Sequence, residues 1–290
     1  MRYFALILIS SINLYSQEIV EKDTLWTTRG NVAVLLNQTG FSNWIGGGTN
    51  NFSGTLKFDY EWEFKDEGWD WLTNVESAFG LAKYKNAPYA RKIDDRILIQ
   101  SIVGKEFSRN LSFSAFFNFT SQIGNGFKYK KDSENNEIRE LTTRIFSPAY
   151  FQLGSGFLWK KDESLWVNYS PVATRLILVS KKFTSSLSEN ESYFGVASNK
   201  SSRYELGSNL TFHSEGTLLE NVNYKQDLKL FSNYLEDPSN IDLDYLAQIE
   251  IDVNPLLSTQ LIFQLIYDDN AVSRLQVREV FGVGVQLKLN

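Results

Sequence analysis

The clearest periodicity lies at the end of the chain, where Leu275 to Leu289 reads LQVREVFGVGVQLKL. Leu275, Val277, Phe281, Val283, Val285, Leu287 and Leu289 fall on one face, interrupted only by Glu279, while Gln276, Arg278, Gly282, Gly284, Gln286 and Lys288 share the other with Val280. A half-buried strand of a soluble protein runs about 5 or 6 residues. An alternation about fifteen residues long fits a tilted strand crossing a bilayer, apolar toward lipid and polar toward a lumen. Such a strand at the C-terminus is placed to pair with the first one and close a barrel.

The same pattern recurs upstream. Phe52, Leu56, Phe58, Tyr60, Trp62 and Phe64 alternate with Ser53, Thr55, Lys57, Asp59, Glu61 and Glu63, and after a short turn at Lys65 to Gly68 the alternation resumes from Trp69 to Leu81 as the second arm of a hairpin. A first strand is expected at 31–39, with further ones at 97–107, 111–123, 149–159, 165–179, 204–213, 222–235, 241–253 and 257–268. With the last strand this predicts an all-β fold, a transmembrane antiparallel up-and-down β-barrel of about twelve strands. Connections at Lys65, Ser108, Lys160 and Asn254 are tight, whereas those at Lys83, Gly124, Ser180 and Glu236 are longer, and the classes alternate. Short periplasmic turns and longer extracellular loops are the outer-membrane arrangement. Two connections fit less well: Ser214 to Asn221 is longer than the rule wants, and the loop after Asp268 is only moderate. The stretch Gly124 to Arg144 is polar, long and without a strand pattern, so it is expected as an extracellular loop. FSNWIGGGTN, Phe41 to Asn50, is expected to be a structural turn, because no Lys-Ser or Lys-Thr follows its glycines as a phosphate loop requires.

Tryptophan placement agrees. Trp62, Trp69 and Trp71 flank one short turn and Trp159 and Trp166 another, which predicts a periplasmic aromatic girdle of five rings.

Composition permits the barrel and excludes other classes. The 290 residues are 42% hydrophobic and 14% aromatic, with no Cys and one His. No Cys means no disulfide scaffold and no thiolate metal site. A net charge of -5 gives nucleic acid no basic surface to bind. The mean hydropathy of -0.27 excludes a helical membrane protein and suits a barrel with a polar inside. The N-terminus reads as a secretory signal peptide over residues 1–16: Arg2, an apolar core from Tyr3 to Leu14, and Ser16 before Gln17. A short leader, 17–30, and the barrel, 31–290, complete the expected organisation.

Several runs also carry a family resemblance: NVNYKQDLKLFSNYLEDPSNIDLDY from Asn221 to Tyr245, LIYDDN from Leu265 to Asn270, LQVREVFGVGVQL from Leu275 to Leu287, NWIGGGTN from Asn43 to Asn50 and SPAYFQLGSGFLWK from Ser147 to Lys160. They resemble an uncharacterised outer-membrane barrel family of the Bacteroidota, known only as domain of unknown function 3078. The resemblance implies a β-barrel in the outer membrane of a Gram-negative cell, contact with outer-membrane lipid, insertion by the barrel assembly machinery, and no established activity. Proteins of this kind tend to end on an aromatic residue, whereas this chain ends Leu289-Asn290.

Catalytic chemistry is sparse. A barrel-embedded lipid enzyme needs a His to activate a serine hydroxyl. Only His213 is available, beside Ser214, with no evident Asp or Asn to orient it, and it is expected to be a solvated interface histidine. No catalytic residue, cofactor or metal is predicted. The expected function is a small-solute or ligand-binding channel with a polar lumen; the alternative is a structural or assembly-partner barrel, and a lipid enzyme is a distant third. Lumen-facing charges are expected at Lys57, Asp59, Glu61, Glu63, Asp242, Asp244, Asp268 and Arg278. Asp242, Asp244 and Asp268 are expected to meet at the extracellular mouth, with Arg278 neutralising an acid there; the favoured reading is a bracing charge network, the other a cation-attracting mouth.

Overall fold

The computed structural model describes residues 25–40 and 49–289. The expected signal peptide, leader residues 17–24 and most of the Gly-rich turn lie outside the described residues. Among the described residues, sixteen strands and one short helix follow in chain order. The first five strands are β1 (Trp26–Thr39), β2 (Asn51–Asp66), β3 (Trp69–Tyr84), β4 (Arg91–Ser108) and β5 (Leu111–Ser121). Then come β6 (Gly126–Lys131), β7 (Glu137–Thr143), β8 (Ala149–Asp162), β9 (Leu165–Leu178), α1 (Lys181–Thr184), β10 (Ser192–Tyr193) and β11 (Val196–Ala197). The chain closes with β12 (Ser202–Leu219), β13 (Val222–Asn233), β14 (Ile241–Asp252), β15 (Leu257–Asp268) and β16 (Val272–Leu289).

Twelve of these strands form a closed antiparallel barrel, each paired with its barrel neighbours in sequence, and β1 pairs with β16 to shut it. This is the up-and-down barrel that the alternation predicts. β1 begins at Trp26, inside the segment expected as leader, and runs against β2 from Trp26↔Phe64 to Thr39↔Asn51. The awkward connection at Ser214 to Asn221 disappears, because β12 continues to Leu219 and only Glu220 and Asn221 turn into β13. The tight turns after β2, β4, β8, β12 and β14, the start of β1 and the end of β16 therefore share one end of the barrel, and the longer loops lie at the other together with the short turn Asp269 to Ala271.

The polar insertion is not free of strands. β6 and β7 pair as a separate hairpin in register Lys128↔Glu140 and Lys130↔Ile138, with Arg91 stacked 3.4 Å from the Tyr129 ring centre. Its strand signal was hidden because neither face is apolar enough to alternate visibly. The β9–β12 connection packs Val179 and Val196 on Ile177, with Tyr150, Phe183, Tyr193 and Phe194 around them. Its Tyr193 hydroxyl donates to Thr142 O at 2.6 Å, tying this loop to the neighbouring one.

Along β16, residues 275, 277, 281, 283, 285, 287 and 289 are exposed while Gly282, Gly284 and Gln286 are buried. Continuous apolar exposure around a closed sheet is the surface that hydrocarbon covers in a membrane.

Candidate functional site

Alternation turns one face of every barrel strand into the lumen wall, so the polar residues of the chain are concentrated there. On β2, Lys57 donates to Gln260 at 2.8 Å, Asp59 accepts from Asn74 at 3.3 Å, and Glu61 pairs with Arg29 at 2.7 Å. Glu63 lies 3.2 Å from Lys160, which also contacts Asp70. Gln260 passes a hydrogen bond to Glu250 at 3.2 Å, and Gln286 donates to the same carboxylate at 2.8 Å.

Several contacts cross from one wall to another. Lys225 of β13 reaches Glu76 of β3 at 3.1 Å, and Arg96 of β4 binds the same carboxylate at 3.1 Å. Arg278 of β16 pairs with Asp94 of β4. Phe116, Ala173 and Phe231, from β5, β9 and β13, pack together with Ile102 of β4 beside them. Arg96 and Ile102 lie on strands next to those of Glu76 and Phe116, but Lys225 and Glu76, Arg278 and Asp94, and Phe116, Ala173 and Phe231 come from strands that are not neighbours, so these reach into the lumen rather than coat its wall.

Space remains at the tight-turn end. A vestibule of 530 Å³ is bounded by Arg29, Lys57, Glu61, Glu76, Lys225 and Gln286, among others. Beside it lies a chamber of 50 Å³ whose wall includes Asn74, Asn118, Trp166, Asn168 and His213, with Ile102 and Phe116 as its apolar limit. Arg29, Glu61 and Lys225 border both.

At the long-loop end the structure rearranges the expected acid cluster. Carboxylate oxygens of Asp242, Asp268 and Asp269 lie within 4.8 Å of one another. Asp244 is not among them and accepts from Gln264 at 3.0 Å instead. Arg278 does neutralise an acid, but that acid is Asp94. The cation at the cluster is Arg175, 2.5 Å from Asp242 and also paired with Glu205. Asp268 meanwhile accepts backbone N–H groups of Asn270 at 3.0 Å and Ala271 at 3.1 Å, closing the turn into β16. Asp242 is thus held by an arginine, Asp268 by a turn and Asp269 by the Asn270 amide at 3.2 Å, which favours a bracing network over a cation site.

Arg175 escaped the sequence reading for a local reason. The register between β8 and β9 slips, so that Ser155 opposes Val172 but Phe157 opposes Tyr169. A Cβ on Gly156 would sit 2.0 Å from Tyr169 O, so the slip needs glycine there, and Pro171 lies within the bulge, where no ladder N–H is required. Before the slip Trp166, Asn168 and Ser170 are buried; after it Ala173, Arg175 and Ile177 are. One inserted residue has exchanged even for odd as the inward face.

The same strand corrects the girdle. Trp62, Trp69, Trp71 and Trp159 are exposed on the outside, as is Trp26, which the sequence reading left out. Trp166 is only 8% exposed and belongs to the chamber wall, its ring stacked on His213 at 5.1 Å between centroids. Nor is His213 a solvated interface residue without an acid: its Nδ1 lies 2.7 Å from Asp227 and its Nε2 3.6 Å from Glu215. The orienting aspartate stands directly opposite on β13, fourteen positions away, where only strand pairing brings it close. With carboxylates at both ring nitrogens, the imidazole faces no hydroxyl nucleophile among its described partners.

The family model described as "Protein of unknown function (DUF3078)" matches residues 36–127, the family that the sequence motifs resemble. Nothing among curated proteins matches the chain. Among solved structures, the translocator domain of the autotransporter NalP from Neisseria meningitidis is similar at 10% identity with a TM-score of 0.43, covering 90% of this chain and 88% of that one. An outer membrane channel from Pseudomonas putida F1 is similar at 10% identity and a TM-score of 0.36, over 90% of this chain and 94% of that one. The P. putida toluene transporter TodX is similar at 10% identity and 0.36, over 91% and 89%.

Proposed function

We propose that this protein is a non-enzymatic outer-membrane barrel that receives a small solute in its lumen from the tight-turn end, and that it is not a permanently open pore. The vestibule carries this reading: 530 Å³ of space lined by charged and amide groups together with apolar ones such as Phe58 and Leu246, within the range of about 300–1,000 Å³ usual for small-molecule sites, ends at the contact of Lys225 with Glu76. We assign the tight-turn end to the periplasm, since short turns face that side in outer-membrane barrels. Steady conductance through such a lumen would require those side chains, and the Phe116 and Phe231 rings, to move.

Planar-bilayer recording of the purified barrel tests this. The expected result is no steady open-pore current in the wild type and measurable current after Glu76→Gln with Lys225→Met and Phe116→Ala. A steady ohmic current through the wild-type barrel would replace the vestibule with an open channel. The packing of Phe116, Ala173 and Phe231 also supports a second reading, a structural barrel plugged for stability. In that case no small solute binds at all.

A further inference from the structure

We infer that the vestibule is a site for an α-amino acid zwitterion, with the solute's carboxylate on Lys57 and its ammonium on Glu250. This deepens the reading that the vestibule receives a small solute, and rests on it. Among the described residues the vestibule is bounded by four cations and five carboxylates. Six of these nine are held in ion pairs. Arg29 lies between Glu61 at 2.7 Å and Glu215 at 3.3 Å, and Lys225 and Arg96 share Glu76 at 3.1 Å each. Among the described residues no ion pair holds the other three, which rest on neutral amides: Lys57 on Gln260, Asp59 on Asn74, and Glu250 on Gln260 and Gln286.

Lys57 and Glu250 share one amide. Gln260 accepts from Lys57 at 2.8 Å through Oε1 and donates to Glu250 at 3.2 Å through Nε2. The oxygen and nitrogen of an amide are about 2.2 Å apart, so the ammonium and the carboxylate stand no more than about 8 Å from each other. A cation and an anion set either side of a neutral amide, away from bulk water, are each short of a counter-ion. The α-ammonium of an amino acid is about 3 Å from its own carboxylate oxygens, and with a hydrogen bond of about 2.8 Å at each end it reaches across up to about 8 Å. It brings each of the two wall charges its opposite and adds no net charge. A neutral solute brings neither, and a singly charged one serves one wall group while leaving the other as it was. Both wall groups are open to such a solute: Gln260 is only 2% exposed, whereas Lys57 and Glu250 are half-buried and border the vestibule. Lys57 stands opposite Ala33 of β1, whose methyl leaves it free to lean over that strand toward β15. Asp59 takes its amide from β3, on the far side of β2 from this bridge. The rest of the 530 Å³ is left for the side chain of the amino acid, with Leu246 as an apolar contact.

The test is calorimetric titration of the full chain in detergent micelles with alanine, serine and leucine. Each is compared with the amine that lacks its carboxylate and the acid that lacks its ammonium, and glucose serves as a neutral probe. At least one amino acid is expected to bind, and its two one-charge counterparts at least about tenfold more weakly. Lys57→Met is expected to weaken that amino acid at least about tenfold and to leave it no better than its amine. Glu250→Gln should weaken it as much and leave it no better than its acid. Heat-modifiable electrophoretic migration verifies that each variant is a closed barrel, and Lys57→Gln or Glu250→Ala replaces one that is not. An amine or acid that binds the wild type as tightly as the amino acid overturns the inference, as does amino-acid binding that either substitution leaves unchanged. Glucose binding where no amino acid does would overturn the inference and leave the vestibule reading standing. Binding by no probe of any class overturns both.

Discussion

Val283→Arg puts a charge on the lipid face of the closing strand, and the cost follows from where that residue sits. β16 alternates outward over Leu275 to Leu289, so the middle of its apolar run is residue 282. A strand rising about 3.4 Å per residue and tilted about 40° advances about 2.6 Å per residue along the membrane normal, which places Val283 about 3 Å from the midplane. Its side chain is 43% exposed on the outer surface, and its strand partners are Leu36 and Thr259. An arginine at that depth costs about 2–4 kcal/mol, or about two orders of magnitude in the folding equilibrium. Leu289 lies on the same face but about 18 Å from the midplane, outside an apolar band about 25 Å tall, so Leu289→Arg should cost about 0–1 kcal/mol. Gln286 points inward and donates to Glu250 at 2.8 Å, so an arginine there meets a carboxylate and should be mild. Reversible guanidinium unfolding in phospholipid vesicles, read by tryptophan fluorescence, measures all three. Equal costs at Val283 and Leu289 would refute the membrane placement, and a Gln286→Arg cost equal to that of Val283→Arg would refute the facing.

Other consequences are as direct. Gly156→Ala would bring a Cβ to 2.0 Å from Tyr169 O and should destabilise by about 1–3 kcal/mol or more, whereas Gly54→Ala, whose nearest neighbour would be a Leu36 side-chain atom at 3.4 Å, should be close to neutral; the same unfolding assay compares them. Arg175→Met removes the cation from Glu205, whose side chain is fully buried, and from Asp242, and should cost about 3–5 kcal/mol, moderated by Arg203, which lies 2.8 Å from Glu205. Calcium titration of wild-type thermal stability should show no shift, because Arg175 and the turn N–H groups already serve the acids; a calcium-dependent rise would restore the cation-attracting mouth. An epitope inserted at Asn135, in the turn of the β6–β7 hairpin, should be reached by antibody on intact cells, and labelling only after the envelope is broken would invert the orientation.

What the sequence by itself determined is the part that a local rule controls. A period of two decides facing within each strand, so the alternation of Phe52 to Phe64 and of Leu275 to Leu289 was sufficient to predict long strands, their number and a closed barrel. The rule fails where its locality fails. One extra residue at Pro171 reverses the parity of β9, and the sequence carries no signal of it beyond a proline and a facing Gly156, so Arg175 is not legible as inward; Trp166, expected in the girdle because it flanks a short turn, lies on the buried face instead. Glu76 falls between Val75 and Ser77 in the alternation from Trp69 to Leu81, but its partner Lys225 is 149 positions away, and Asp94 and Arg278 are separated by 184. Which residues meet across a lumen depends on the stagger and closure of the whole sheet, quantities that no stretch of sequence contains. Only the tertiary structure could decide that the polar face encloses a vestibule and that Lys225 meets Glu76 across it.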